Sequence, residues 1–290
     1  MSYRVDKYKD TTRIIGISTE ELDLDKTLRC GQAFRWNKTQ RDYWYGTIGQ
    51  KLVILKQGRF IDGEYGIATN LDIDDTKELI YYLDLDTDYT SEISKLNLDN
   101  YAKKAYEYGK GIHILRQDLF ETMVTFLMSQ CNSMHNIKLI VDKLSEKYGN
   151  KVCGKLINEE IEYYTFPTLE RLAECSYDDF MKCSIGFRSK YLVSLLNSIK
   201  NNYSILNNLK NCDYNNAMNI LTSYDGIGDK VANCISLFGL HHVEAFPIDT
   251  HIKRIIQSEY NGNIDITRYG QIAGIVQQYM YYYSAFKTEG

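Results

Sequence analysis

The 290-residue chain predicts an α+β fold: an N-terminal antiparallel β-sheet domain followed by a two-part all-helical body containing a helix-hairpin-helix motif. Three observations carry this prediction. Between Thr12 and about Ile67, short strand-like stretches alternate with turn chemistry such as NKTQRD, GQ and QGR. From about Gly109 onward the apolar residues recur at helical spacing. Within that second half, LTSYDGIGDKVANCISL, Leu221 to Leu237, places two glycines between two helical patterns. The domains are accordingly drawn at residues 1–110 and 111–290, with the hairpin near 222–230.

In the first domain the expected strands include Phe34 to Trp36, Tyr43 to Ile48 and Lys51 to Leu55. The following segment, up to Leu98, is rich in Asp and Leu and is expected to mix a strand with an acidic helix whose charges face solvent. In the second domain Asp118 and Glu121 form a capping-box pattern ahead of Leu119 to Ser129. Gln130 to Ser133 reads as a break, and a further helix is expected over Ser133 to Tyr148 with Gly149 as its stop. Helices are expected from there to the end. Pro167 and Pro247 are the two prolines of the chain, and no internal repeat or low-complexity linker is visible.

Composition narrows the function classes. Hydrophobic content of 44% and charged content of 25% are those of a globular chain with ordinary cores. No apolar run approaches the ~18 residues that span a bilayer, and MSYRVDKYKD lacks the apolar centre of a signal peptide, so a cytoplasmic protein with no membrane partner is expected. The seven cysteines are scattered with no CxxC pair, which argues against a disulfide framework or a zinc site. A net charge of −4 is unfavourable for binding nucleic acid. The acidity is local, however: Ile61 to Asp99 holds eleven Asp and Glu against two Lys, which leaves the rest of the chain net basic.

The hairpin holds the first candidate site residues. Gly226 and Gly228 bracket Ile227, and such a turn at a helix N-terminus directs backbone N–H groups at one spot, suited to a phosphate. An ordinary turn between helices is the other reading of GxG. Lys230 falls in the first turn of the second helix, where the positive end of the helix dipole disfavours an ammonium, the condition under which an amine attacks carbon. Nineteen residues on, FPIDTH puts Asp249 at the start of another helix, as an N-cap and as a fixed negative charge.

Taken together, GIGDKVANC and FPIDTH resemble the hairpin, catalytic lysine and catalytic aspartate of the helix-hairpin-helix DNA glycosylases, and within them of the 8-oxoguanine DNA glycosylases. CGQAFRW, Cys30 to Trp36, is similar to that family's N-terminal signature, so the resemblance runs from about residue 27 to about residue 284. It implies a bifunctional enzyme that flips a damaged purine out of duplex DNA, attacks its sugar with Lys230 while Asp249 steadies the positive charge, and cuts the strand by β-elimination.

The resemblance also implies a set of site residues. The carbonyl of Gly31 would accept the N7 hydrogen that 8-oxoguanine carries and guanine lacks. Cys234 would pack on the base, Gln277 would meet its Watson–Crick edge, and Tyr281 would stack, with Tyr282 or Tyr283 as alternatives. His251 would contact phosphate, Phe187 would wedge into the stack, and Arg188 would read the opposite base. Asn132 matches the start of the family's asparagine run, but the arginine that follows there has no counterpart in CNSMHN, so relaxed preference for the opposite base is expected.

Backbone carbonyls of Thr222, Tyr224 and Ile227 match positions that hold a monovalent cation in this superfamily. No other cofactor is required, and no iron–sulfur cluster is expected because nothing after Cys234 could ligate one. The expected partner is double-stranded DNA containing oxidised guanine, bound by a monomer. Two other readings remain open at this stage: a glycosylase for alkylated or other damaged purines, and a non-catalytic helix-hairpin-helix DNA-binding module.

Overall fold

The computed structural model describes residues 3–287. The first strands, β1 (Arg4–Tyr8) and β2 (Thr11–Ile15), form a hairpin, after which the chain leaves the sheet through helix α1 (Leu24–Arg29). It returns through β3 (Asn37–Lys38), β4 (Trp44–Ile48), β5 (Lys51–Arg59) and β6 (Tyr65–Thr69). The six strands are antiparallel in the order β1-β2-β6-β5-β4-β3, so β6 closes the excursion by pairing with β2. Alternation along β5 and β6 buries Val53, Leu55 and Ile67 in one core with Ile14, Trp36 and Leu79, and Ile54 and Ala68 on the opposite face.

The helices follow as α2 (Ile73–Tyr82), α3 (Tyr89–Ser94), α4 (Asn100–Gly109), α5 (Leu119–Met128) and α6 (Met134–Tyr148). Aspartates cap α2, α3, α4 and α5: Asp72, Asp88, Asp99 and Asp118 each accept a backbone N–H of the first turn, so three of the eleven acidic residues between Ile61 and Asp99 serve as caps. Helix α6 starts at the Ser133 cap and stops at Gly149, as the sequence predicts.

Two expectations need correction here. Phe34 to Trp36 is an irregular turn, not a strand; its residues look strand-like because all three are buried. The body is also not all helical, because β7 (Lys151–Leu156) and β8 (Glu159–Tyr164) form a hairpin after α6. Ile157 makes its turn at φ 54°, an unusual conformation for a β-branched residue and one that turn signals do not flag. The hairpin lies on the outer face of the sheet, where a side chain at Gly154 would stand 3.1 Å from Leu52 and 3.3 Å from Asn70.

The remaining helices are α7 (Leu169–Ala173), α8 (Tyr177–Lys182), α9 (Ser189–Asn201), α10 (Ser204–Lys210), α11 (Tyr214–Thr222), α12 (Asp229–Gly239), α13 (Thr250–Glu259) and α14 (Ala273–Phe286). One large core joins α4, α5, α6, α9, α12 and α14, and it reaches back to Cys30 and Phe34 of the sheet domain. Helix α14 is buried along its first two turns on every side, packed against α4 and α13. Among the described residues no helix is long and apolar enough to cross a membrane.

A polar knot ties the sheet domain to the helical body. Asp84 is 3% exposed and accepts from Tyr89 Oη (2.8 Å) and Arg116 Nε (2.8 Å), with His241 Nε2 at 3.3 Å. Burial alone would push its carboxyl up, but His241, Tyr89 and Arg116 outweigh burial and hold it well below the usual carboxylate range. Because the folded-state value is depressed, its stabilisation is complete above the ordinary carboxylate range and is lost as pH falls. Asp84→Ala strands Tyr89, Arg116 and His241, and the Thr87 hydroxyl that also donates to Asp84 (3.1 Å), and is expected to cost ~3 kcal/mol at neutral pH. Denaturant titrations at pH 7 and pH 3 check this, since the gap between wild type and variant should narrow at the lower pH.

Candidate active site

The turn Cys30–Trp36 is built by its own side chains. Gln32 is buried and donates to the carbonyls of Thr27 (3.0 Å) and His113 (2.8 Å), while its Oε1 accepts from Leu115 N (2.9 Å). Arg35 donates to Thr47 Oγ1 (2.7 Å) and to the Tyr164 carbonyl, and Trp36 Nε1 donates to Tyr82 Oη (2.9 Å). Gln278 of α14 fastens the turn from the far side by donating to the Cys30 carbonyl (2.8 Å). These anchors leave Gly31 at φ 84°, a conformation that favours glycine, and a Cβ there would press on Met134 Sδ and Tyr281 Oη at 3.2 Å each.

Phe34 packs edge-on against Phe126 of α5 at 5.3 Å. The cap of α5 is half of the expected box: Asp118 accepts from Glu121 N (2.9 Å), but the Glu121 carboxylate turns toward Arg35 (3.8 Å). Burial pushes the Glu121 carboxyl up to about 7 despite that guanidinium.

The hairpin between α11 and α12 has two glycines with different reasons. Gly226 takes φ 81°, and a Cβ there would lie 2.5 Å from the Tyr191 ring, so packing demands glycine. Gly228 is the N-cap of α12 in extended backbone, and nothing lies within 4 Å of the Cβ it lacks. Its openness leaves the N–H groups of the first turn of α12 approachable by a ligand. Of the three carbonyls expected to hold a cation, that of Tyr224 also accepts from Ile227 N (3.0 Å) inside the turn.

Helix α12 carries Lys230 and Cys234 one turn apart on one face. Lys230 Nζ lies 3.3 Å from Ser129 Oγ and 5.8 Å from the centroid of the Phe126 ring. Cys234 is buried; burial pushes its thiol up to about 11, Lys230 acts in the opposite direction, and Asp249 reinforces burial, so at neutral pH it is a thiol. Asp249 caps α13, its Oδ1 accepting from Ile252 N (2.8 Å), which fixes the carboxylate beside Cys234 and Tyr281.

Opposite these stand Gln277 and Tyr281 of α14. Gln277 is 3% exposed and its Nε2 donates to the Pro247 carbonyl (3.1 Å), an acceptor that leaves the amide no other orientation. Its Oε1 is consequently a buried acceptor with no hydrogen-bond partner among the described residues. Tyr281 Oη donates to Met134 Sδ (3.3 Å), and the ring meets His251 edge-on at 5.2 Å. Burial first, then Asp249, Cys30 and Cys234, raise its phenol, so it is a neutral donor.

A single cavity of about 680 Å³ collects Gly31, Asn132, Lys230, Cys234, Asp249, His251, Gln277 and Tyr281 on its walls. Phe34, Phe126, Met134 and Phe238 complete its apolar side. Sequence reading passed over Ser129, Met134 and Gln278; only for Gln278 was there a signal, a second glutamine inside a buried helix. Several expected site residues lie off this cavity: Gly226 and Gly228 in the hairpin with Thr222, Tyr224 and Ile227 beside them, and Phe187 and Arg188 in another turn. Phe187 is 52% exposed. Arg188 is instead turned inward and buried, donating to the carbonyls of Gln130 (Nε, 2.8 Å), Cys131 (3.1 Å) and Ile185 (3.3 Å).

The chain matches two families in succession: 8-oxoguanine DNA glycosylase, N-terminal domain, over residues 14–123, and HhH-GPD superfamily base excision DNA repair protein, over residues 124–268. It is 30% identical to the N-glycosylase/DNA lyase OGG1 of Arabidopsis thaliana, across 90% of this chain and 77% of that protein. It is 28% identical to the N-glycosylase/DNA lyase of Saccharomyces cerevisiae, across 90% and 72%. Among solved structures it resembles the Clostridium acetobutylicum 8-oxoguanine glycosylase/lyase in complex with double-stranded DNA containing cytosine opposite the lesion. That match has 30% identity, a TM-score of 0.87, and covers 99% of this chain and 100% of the other. From its sheet domain through its helix-hairpin-helix body, this chain belongs to the 8-oxoguanine DNA glycosylase family of the HhH-GPD superfamily.

Proposed function

We propose that the chain excises 8-oxoguanine from duplex DNA by a covalent route and then cleaves the strand 3′ to the abasic site. The observation that carries this reading is the convergence of Lys230, Asp249 and the orphaned acceptor of Gln277 on one cavity. A purine is unreachable inside a duplex, so its nucleotide is flipped into the cavity, with the hairpin N–H groups and His251 on flanking phosphates. The Lys230 amine forms a bond to C1′ as the bond from C1′ to N9 breaks, and the electron pair leaves with the base, which takes up a proton. Asp249 offsets the positive charge on the sugar as it develops. The amine loses a proton and the sugar ring opens to a Schiff base; loss of a C2′ proton then expels the 3′ phosphate.

Recognition follows from donors and acceptors. The Oε1 of Gln277 suits the N–H donors on the Watson–Crick edge of a guanine-type base, and a carbonyl at Gly31 suits the N7 hydrogen of the oxidised one. Gly31→Ala adds a Cβ at φ 84° and presses on Met134 and Tyr281, so excision of 8-oxoguanine is expected to fall ~100-fold or more, with DNA affinity changed far less. Single-turnover rates and binding isotherms on the same duplex separate the two; equal losses in both would remove Gly31 from base selection.

Opposite the lesion, the chain has Asn132 but no arginine in CNSMHN, and Arg188 is held by carbonyls of Gln130 and Cys131. Excision rates across duplexes with the lesion opposite each of the four bases are therefore expected to differ by less than about tenfold, the loss of one bidentate base contact. A steep preference for cytosine would show that Arg188 leaves its carbonyls on binding.

A monomer on duplex DNA, with the carbonyls of Thr222, Tyr224 and Ile227 around a monovalent cation and no other cofactor, completes the reading. Borohydride reduction in the presence of a duplex with one 8-oxoguanine tests it: a covalent protein–DNA complex is expected. Release of the base without trapping would indicate attack by water, and no release from a panel of lesions would leave a DNA-binding module.

A further inference from the structure

We propose that Ser129 is a positioning residue for the Lys230 amine, an inference that rests on the Schiff-base reading above. Ser129 closes the C-terminal end of α5, where both its backbone N–H (3.1 Å) and its hydroxyl (2.7 Å) donate to the Phe126 carbonyl. With its one proton committed, the hydroxyl has only lone pairs to offer Lys230 Nζ, 3.3 Å away, so the amine donates and Ser129 accepts. A neutral amine has one lone pair and two hydrogens. Committing one hydrogen to Ser129 Oγ limits where the lone pair points, and the Phe126 ring and Cys234 bound the amine on its other sides.

The loop that carries the serine is tied to two further elements. Gln130 Nε2 donates to the Leu127 carbonyl (3.0 Å) and to the Gly226 carbonyl (2.8 Å), which ties this loop to the phosphate hairpin. Arg188 donates into the carbonyls of Gln130 and Cys131, which ties it to the turn carrying Phe187. The loop 129–131 thus sets the nucleophile from the same short segment that meets both DNA-facing turns. Misplacing a reacting group by about an ångström costs on the order of 100-fold in rate without weakening binding.

The test compares the full chain as wild type, Ser129→Ala, Ser129→Thr and Lys230→Gln on a duplex with one 8-oxoguanine. Single-turnover excision, borohydride trapping, affinity for a duplex with an uncleavable abasic analogue, and Tm are measured for each. Ser129→Ala is expected to slow excision and trapping by ~10- to 100-fold, with affinity within about twofold and Tm unchanged, while Ser129→Thr restores the rate. Wild-type rates in Ser129→Ala, equal losses in rate and affinity, or failure of Ser129→Thr to restore the rate would each overturn the proposal. Absence of trapping by the wild type would instead reject the Schiff-base reading and this inference with it.

Discussion

Lys230→Gln abolishes borohydride trapping and strand cleavage at 8-oxoguanine, lowering the excision rate by about 10,000-fold or more, as loss of a covalent nucleophile does in other enzymes. Glutamine is one bond shorter than lysine but polar and of similar bulk, so it keeps the cavity wall filled while drawing back from Ser129 Oγ and the Phe126 ring. What disappears is the lone pair: the amide nitrogen shares its electrons with the carbonyl and does not attack carbon. Affinity for a lesion duplex should therefore stay within about tenfold of wild type, since one charge is lost from a contact set of several phosphates. If the variant still trapped, another amine would be the nucleophile. If it released the base without cutting, Asp249 and a water would suffice for the first step and Lys230 would act only in the lyase step.

Much of this site could be read before the structure because it depends on local chemistry. GIGDK and FPIDTH each form their turn and cap within a few residues, so residue type and spacing alone place Lys230 and Asp249 at helix starts. Cys234 follows from helical register with Lys230, whereas Gln277 came only from the family resemblance. The sheet domain was legible where strands alternate, as in β4 and β5. It was not legible at CGQAFRW, where burial of consecutive side chains imitates a strand while Gln32, Arg35 and Trp36 are consumed by partners far along the chain, such as His113, Tyr164 and Tyr82.

Other features escaped for the same reason. The hairpin of β7 and β8 turns on Ile157 rather than on glycine or asparagine at the positive-φ position, and its glycine, Gly154, serves packing on β5 rather than a turn. The family resemblance assigned Arg188 to the opposite base, but three carbonyls from two segments hold it in. Nothing in the local sequence states which carbonyls lack a donor. The Asp84 knot joins residues 32 and 157 positions apart, contacts that no periodicity encodes.

Asp249→Asn slows excision by ~100- to 1,000-fold while leaving the fold intact, which isolates the charge of Asp249 from its structural duty. In the native chain one oxygen does that duty, accepting from Ile252 N as the cap of α13. Asparagine caps a helix about as well as aspartate, so Tm should change by little more than about 1 °C. The lost charge matters most when the sugar becomes positive, because beside the buried Cys234 and Gln277 an opposite charge counts for more than it does in water. Asp249→Ala should match Asp249→Asn in rate and differ from it in stability by the ~1 kcal/mol worth of a cap. Equal stability with unequal rates would reverse the assignment, making geometry of the α13 start, and not charge, the quantity that Asp249 supplies. Unchanged rates in both variants would leave the developing charge to be offset by the departing base itself, and Asp249 would be a cap that happens to border the cavity.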